Sequence, residues 1–423
     1  MQSESQEFQG RKRRLSELVQ NEKDLSEKQS RGQGVWKTGS PYPMFLILEA
    51  ANELAQQGKD VLFCAESIMS TRPPDRTLTT IAENLVSAAS HEVPPMNGLP
   101  ELRQEIAARF TRVYGQKVDW REEVVVTAGS FEAEFHAIHA VLNPGDEVVM
   151  AAPSFGFDRA VRLAGGKPVF YRLDPAKKYY HFKDQIEEQI TDRTRMIIVC
   201  NPDNPTGRVL TREEMSGIAE LAIKHDLFIL HDQVYERLVF DNRPYLPMAL
   251  FKEVHDRLIT ATSFSKLFNM INYRLGYAIA TPDVIKGISI LHGISSGGVS
   301  VILQKGALGI LDKEFEEDYV RNTVKIVQEG RDYAMERFST LEGISIVKPE
   351  GTNLLFPDIS SFGMNSIEFC QYLLKEAHIA CNPGISGKAD DHIRISLRTE
   401  RNQEIVDRVF RAISKLAMKQ VST

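Results

Sequence analysis

Ser263-Phe264-Ser265-Lys266-Leu267-Phe268 is followed a few residues on by Arg274-Leu275-Gly276-Tyr277. An apolar run, Leu258 to Thr262, reads as a strand that ends in a turn of small hydroxyl residues. An amine projects from that turn, and a guanidinium lies downstream. The set suits an aldehyde cofactor that carries a phosphate. The amine forms a Schiff base, while Ser263, Ser265 and Arg274 hold the phosphate. Pyridoxal phosphate has both groups. A lysine beside serines is ordinarily solvated surface charge, so the stretch gains its meaning from the rest of the chain.

Outward from this turn, short apolar strands alternate with helices. The predicted strands are Glu123–Thr127, Glu147–Ala151, Pro168–Arg172, Met196–Cys200, Leu227–His231, Leu258–Thr262 and Gly276–Ala280. Helical segments such as Phe131–Val141 and Arg212–His225 separate most of them. This pattern predicts an α/β fold, a mostly parallel seven-stranded sheet with helices on both faces. The last strand follows its neighbour too closely for a helical crossover and is expected to run antiparallel.

The pattern changes after about residue 300. A long helix over about Phe315–Leu341, short strands at Ser345–Lys348 and Leu354–Phe356, a helix over Ser366–Ala377, a strand at Ile393–Ser396 and a last helix over Arg401–Met418 read as a smaller α+β domain. A helix over about Met44–Gln57, after Pro41 and Pro43 and ended by Gly58, joins it. The expected division is a charged arm over 1–39, a small domain from 40–75 and 310–423, and a large cofactor domain over 76–309. In the arm, Leu15, Leu18, Val19 and Leu25 have rough helical spacing, and Arg11-Lys12-Arg13-Arg14 reads as a solvated charged tail.

The bulk numbers narrow the field. The chain has 423 residues, 42% of them hydrophobic, and a formal net charge of −6. That balance argues against a nucleic-acid surface as the main business. No apolar run approaches the ~20 residues of a membrane span, and no secretory signal core opens the chain. None of Cys64, Cys200, Cys370 and Cys381 falls in a C-x-x-C arrangement, so no metal site is expected. A reducing, cytoplasmic setting is the expectation.

Asp232, in His231-Asp232-Gln233-Val234-Tyr235-Glu236, lies at the carboxyl end of an apolar strand. Open α/β sheets bind ligands at the carboxyl ends of their strands. A carboxylate there can keep a pyridine nitrogen protonated, which makes the ring an electron sink. Gly129-Ser130-Phe131 lies between a strand and a helix, where backbone N–H groups can grip a phosphate and a glycine allows close approach.

Several segments together resemble the pyridoxal-phosphate aminotransferases of class I and II, which share the aspartate-aminotransferase fold (fold type I). Asn201-Pro202-Asp203-Asn204-Pro205-Thr206-Gly207 resembles the family's Asn-Pro-x-Asn-Pro-Thr-Gly loop. Asp232 with Tyr235 resembles its Asp-x-x-Tyr strand end, and His392-Ile393-Arg394-Ile395-Ser396 its substrate-arginine strand. With Lys266 and Arg274 these stand in the family's order, from about Met44 to the C-terminus. The resemblance implies that Lys266 binds the cofactor and then moves the α-proton of the substrate. It implies that Tyr235 and Asn204 hydrogen-bond the cofactor's phenolic oxygen, Phe155 stacks on its ring, and Arg394 binds the substrate carboxylate. It also implies a homodimer, with Ser295-Ser296-Gly297-Gly298 near the neighbour's phosphate.

Three departures touch the substrate edge. Val93 stands where the family has a phosphate-contacting tyrosine. Ser67-Ile68-Met69-Ser70 replaces Gly-Glu-Pro-Asp, putting the Ser67 side chain in the substrate pocket. Phe268-Asn269-Met270-Ile271-Asn272 replaces a small Gly-rich stretch. Amino transfer between an amino acid and a 2-oxo acid is the first reading. Elimination, replacement or cyclisation at the β- or γ-carbon, as in the amino-cyclopropane-carboxylate synthases, shares the same motifs. A DNA-binding regulator is a third, but about 40 residues before the catalytic body are too few for a winged helix-turn-helix and linker.

Overall fold

The computed structural model describes residues 43–69 and 72–421. The arm over 1–39, with its leucine spacing and basic run, lies outside the described residues, as does Ser70.

The strands in chain order are β1 (Leu62–Phe63), β2 (Val124–Thr127), β3 (Glu147–Ala152), β4 (Lys167–Arg172), β5 (Thr194–Cys200), β6 (Phe228–Asp232), β7 (Leu258–Ser263), β8 (Gly276–Ile279), β9 (Leu354–Leu355), β10 (Ile379–Ala380), β11 (Asn382–Pro383) and β12 (Ile393–Ser396). The main sheet has seven strands in the order β2-β8-β7-β6-β5-β3-β4. From β4 through β7 all pairs are parallel, and β8 is antiparallel to both β7 and β2. The sheet expected from the sequence is therefore present, with the antiparallel strand where the short connection required it.

The reason for the unbroken apolar strands is burial on both faces. Val124 and Val126 join one core with Ile106, Phe110, Val149, Ile197, Met215 and Ile218. Val125 points the other way, into a core with Ile138, Val148, Met150, Ile198 and Ile285. Successive side chains alternate faces with the period of two that a pleated strand imposes. Thr211 and Glu214 form a capping box that starts the helix Arg212–Lys224 on the first face.

A third core gathers Ile47, Leu62, Phe369, Leu373, Ile393, Ile405 and Val409. It lies among the helices Pro43–Gln56, Ser366–Ala377 and Asn402–Val421 and two small sheets, β1-β10 and β11-β12-β9. The long helix Lys313–Phe338 serves two cores: Val320 and Val327 pack in the first, Ala334 and Phe338 in the third.

Ser345–Lys348 is not a strand, contrary to the sequence expectation. Only Ser345 makes a bridge, to Asp358. Pro349 has no N–H to extend the ladder, and the chain turns there so that Glu350 and Gly351 both donate to the Gly207 carbonyl, at 2.8 and 2.9 Å.

Because β2, β5, β6 and β7 run the same way, their carboxyl ends open on one edge of the sheet. Asp232 closes β6, and the segments that follow the ends of β2, β5 and β7 carry Gly129, Asn204 and Lys266.

Candidate active site

A cavity of about 440 Å³ occupies that edge. Ser67, Ser130, Phe131, Phe155, Asn204, Asp232, Tyr235, Ser263, Ser265, Lys266, Arg274 and Arg394 all line it. These are the site residues expected from the sequence, apart from Gly129, which packs directly behind the wall.

Lys266 is partly buried and its Nζ donates to the Ser67 carbonyl at 2.7 Å. Burial, together with the nearby Arg394 and Arg274 guanidiniums, brings the amine down from its ordinary value to about 7. Asp232 opposes that shift but does not cancel it. A neutral amine near pH 7 is a nucleophile and a base, which an ordinary surface lysine is not.

Asp232 is the last residue of β6. Its Oδ1 accepts from the Val234 N–H at 3.0 Å, and the Cys200 thiol lies 3.4 Å from its Oδ2. Burial pushes its carboxyl up to about 6, and Lys266 holds it lower than burial alone would. Tyr235 is buried against the same cavity, with the Lys266 Nζ 5.9 Å from its ring centre.

Gly129, Arg274, Ser263 and Ser265 build the other end. Gly129 has φ of 87°, and a Cβ there would lie 2.7 Å from the Arg274 Nη2. Only glycine meets both conditions. Arg274 also donates to the Ile271 carbonyl at 3.0 Å, and the Ser265 N–H donates to the Ser263 Oγ at 3.3 Å. The start of the helix Ser130–Val141 faces this corner, so free N–H groups, two hydroxyls and a guanidinium converge there. That donor set suits a phosphate.

Arg394, on β12, reaches the cavity from the small sheets. Its Nη1 donates to Asn204 Oδ1 at 2.9 Å and its Nη2 to the Ala65 carbonyl at 2.6 Å. Its Cζ lies 4.5 Å from the centre of the Phe155 ring, and its Nε has no partner. Loop, strand and aromatic thus hold a planar cation in one orientation, ready for a carboxylate.

Sequence reasoning missed other members of the wall. Asn382 pairs with Arg394 across β11 and β12, and Phe45, Phe135 and Glu134 also line the cavity. Phe135 and Glu134 lie on the helix that follows Gly129, but nothing in their local pattern says which face turns to the cavity. Beside the wall, Glu132 bridges neighbouring helices. Its Oε2 pairs with His292 Nδ1 at 2.9 Å, and Ser295 Oγ donates to its Oε1 at 3.2 Å. Ser295 therefore sits beside the helix Ser130–Val141.

The profile of aminotransferase class I and II matches residues 60–413. The chain belongs to the class I and II aminotransferase family. This aminotransferase is 31% identical over 387 residues to the probable aspartate/prephenate aminotransferase of Aquifex aeolicus, covering 89% of this chain and 97% of that one. It is 32% identical over 324 residues to an aspartate aminotransferase of Pyrococcus horikoshii, covering 75% of this chain and 82% of that one. Among solved structures it superposes on the aspartate aminotransferase of Thermus thermophilus with maleate at a TM-score of 0.85, with 27% identity over 92% of this chain and 100% of that one.

The departures of this aminotransferase from its family have structural outlets. Val93 is 88% exposed and does not line the cavity. Phe268 and Met270 are buried in the large core, and Phe268 stacks on Tyr319 at 5.9 Å. Between them Asn269 adopts φ of 54°, a left-handed conformation that asparagine tolerates better than most residues, and donates to the Tyr319 hydroxyl at 2.7 Å. Ser67 donates to Asn353 Oδ1 at 2.6 Å, so its side chain is tied back while its carbonyl holds Lys266.

Proposed function

We propose that this aminotransferase uses pyridoxal phosphate to move the amino group of a 2-amino acid to a 2-oxo acid. One observation carries the reading: an amine lowered to about 7 lies on one cavity with a buried carboxyl, a phosphate-type donor set and an oriented guanidinium. When bound, the cofactor supplies an aldehyde for the amine and a ring that accepts the electron pair released at the substrate α-carbon.

The chain's residues supply the rest. Lys266 anchors the cofactor and, once displaced, moves the proton at the α-carbon. Asp232 holds the proton of the ring nitrogen, while Tyr235 and Asn204 hydrogen-bond the ring oxygen. Backbone N–H groups of Ser130 and Phe131, with Gly129 giving access, join Ser263, Ser265 and Arg274 on the phosphate. Phe155 covers the ring and Arg394 takes the substrate carboxylate with two parallel hydrogen bonds. Ser67 and Asn204 bound the substrate end.

Elimination or cyclisation is not favoured, since the relatives named above are all aminotransferases. The same reading includes a homodimer. Val93 and Met96, 88% and 52% exposed, adjoin a helix whose Ile294 is 81% exposed, and such an apolar face suits a second copy. It also keeps the division into a large unit over 76–309 and a small one from 40–75 and 310–423. The separate apolar cores support that division, with the long helix Lys313–Phe338 shared at the boundary. Free, buried cysteines suit a cytoplasmic setting, and no helix among the described residues is long and apolar enough to cross a membrane.

The test is a panel of amino donors, aspartate and aromatic amino acids included, supplied with a 2-oxo acid to the reconstituted enzyme. Transfer yields the donor's 2-oxo acid and a new amino acid in equal amounts. Release of ammonia or of a β- or γ-substituent, with no amine reaching the acceptor, contradicts the reading.

A further inference from the structure

We propose that Glu134 is a positioning residue for the cofactor ring: as a neutral carboxylic acid it holds the one proton of a buried carboxyl pair and leaves the pair's single negative charge on Asp232. The inference rests on the cofactor reading above.

Glu134 lies one helical turn beyond Ser130, on the same face of the helix Ser130–Val141, and lines the same cavity as Asp232. It is 5% exposed, and its Oε1 has no hydrogen-bond partner. The Ser130 hydroxyl serves the same carboxyl. The other charged groups on the cavity are Glu66, Arg159, Lys266, Arg274 and Arg394, but the charge that acts on Glu134 is that of Asp232.

Among the described residues no cation pairs with Glu134, so its ionisation meets both desolvation and a like charge. Burial and Asp232 push the Glu134 carboxyl well above the ordinary range, while Asp232 itself, helped by the Val234 N–H and by Lys266, stays lower. Two such groups lose their protons in steps that belong to the pair. The first proton leaves from Asp232, which has the better partners, and Glu134 keeps the second. One negative charge then faces the site of the ring nitrogen; two would overcharge it and none would leave the ring without a counter-ion. A purely structural Glu134 would fill volume, and its protonation would not answer to Asp232.

Infrared difference spectroscopy of the cofactor-free protein tests the pair without any cofactor. At pH 7.5 the wild-type protein is expected to show a protonated-carboxyl stretch that is lost in Glu134→Gln. In Asp232→Asn the same stretch should remain at acidic pH but titrate at least about one pH unit lower, because the like charge is gone. If the stretch persists in Glu134→Gln, or is absent from the wild type at pH 7.5, or titrates unchanged in Asp232→Asn, the proposal is overturned. Pyridoxal phosphate is then added to the wild type and to Glu134→Gln, and absorbance is followed against pH. Loss of one alkaline titration step in the variant supports the pair's action on the ring, and identical profiles overturn it. Failure of the wild type to take up pyridoxal phosphate would instead sink the cofactor reading, with the carboxyl pair still judged by the infrared result.

Discussion

Replacing Lys266 by methionine should stabilise the cofactor-free protein at neutral pH. The side chains are similar in length, and methionine adapts to irregular space. The folded amine sits at about 7 against an ordinary value of 10.5. Each pH unit of that difference is worth about 1.4 kcal/mol, and at pH 7, where the folded amine is half neutral, about three units count, so the fold carries a penalty of about 4 kcal/mol for burying this amine. The lost hydrogen bond to the Ser67 carbonyl returns about 1 kcal/mol. A net gain of about 3 kcal/mol remains, which is an upper figure because the cavity admits water. The sign with pH follows from linkage. The unfolded chain binds this proton more tightly than the fold does, so the penalty is complete below pH 7 and fades as pH rises to 10.5. Thermal unfolding of both proteins between pH 6 and 10 reads it directly. The midpoint of Lys266→Met should lie several degrees above the parent at pH 6–7 and converge with it near pH 10. A variant no more stable than the parent at pH 7, or an advantage that does not shrink at alkaline pH, refutes the claim that this amine is strained toward neutrality.

Other perturbations separate the remaining roles. Arg394→Lys keeps the charge but loses the planar fork, so the KM for amino donors should rise about 10- to 100-fold in steady-state assays. Gly129→Ala sets a Cβ 2.7 Å from the Arg274 guanidinium at a φ of 87°, and pyridoxal phosphate affinity, measured by equilibrium dialysis, should fall at least about tenfold. His231 and His181 are pushed down by burial to about 3 and about 4, so the fold holds both neutral where the unfolded chain would protonate them. Stability should therefore fall as pH drops below 6.5, by about 1.4 kcal/mol per unit for each imidazole, and His231→Leu should flatten that slope in urea unfolding.

The legible parts of this chain were those where one residue type answers one physical demand. The strands of the main sheet stood out because burial on both faces leaves runs such as Val124-Val125-Val126 wholly apolar. The antiparallel β8 followed from the short path between Ser263 and Gly276. The cavity positions of Lys266 and Asp232 were legible because each lies at or just past a strand end, and that of Arg394 because its strand resembles the family's substrate-arginine strand. The Ser345–Lys348 segment has the composition of a strand, but pairing depends on a neighbour and on Pro349, which local pattern does not weigh. The helix Pro100–Tyr114 carries its own signals, a proline at its start and Gly115 at φ 73° after its end, though the alternation of strands and helices begins only at Glu123. Glu134 and Asn382 were illegible for a different reason. Each resembles an ordinary surface polar residue until the helix turns it inward or the β11–β12 pair sets it beside Arg394.

The central claim is that the amine of Lys266 holds the cofactor. Loading the protein with pyridoxal phosphate, reducing it with borohydride and mapping the labelled peptide puts that to the most direct test. The account predicts one stable adduct, on Lys266, that amino donor added before reduction removes. An adduct on another lysine, or none at all, contradicts it.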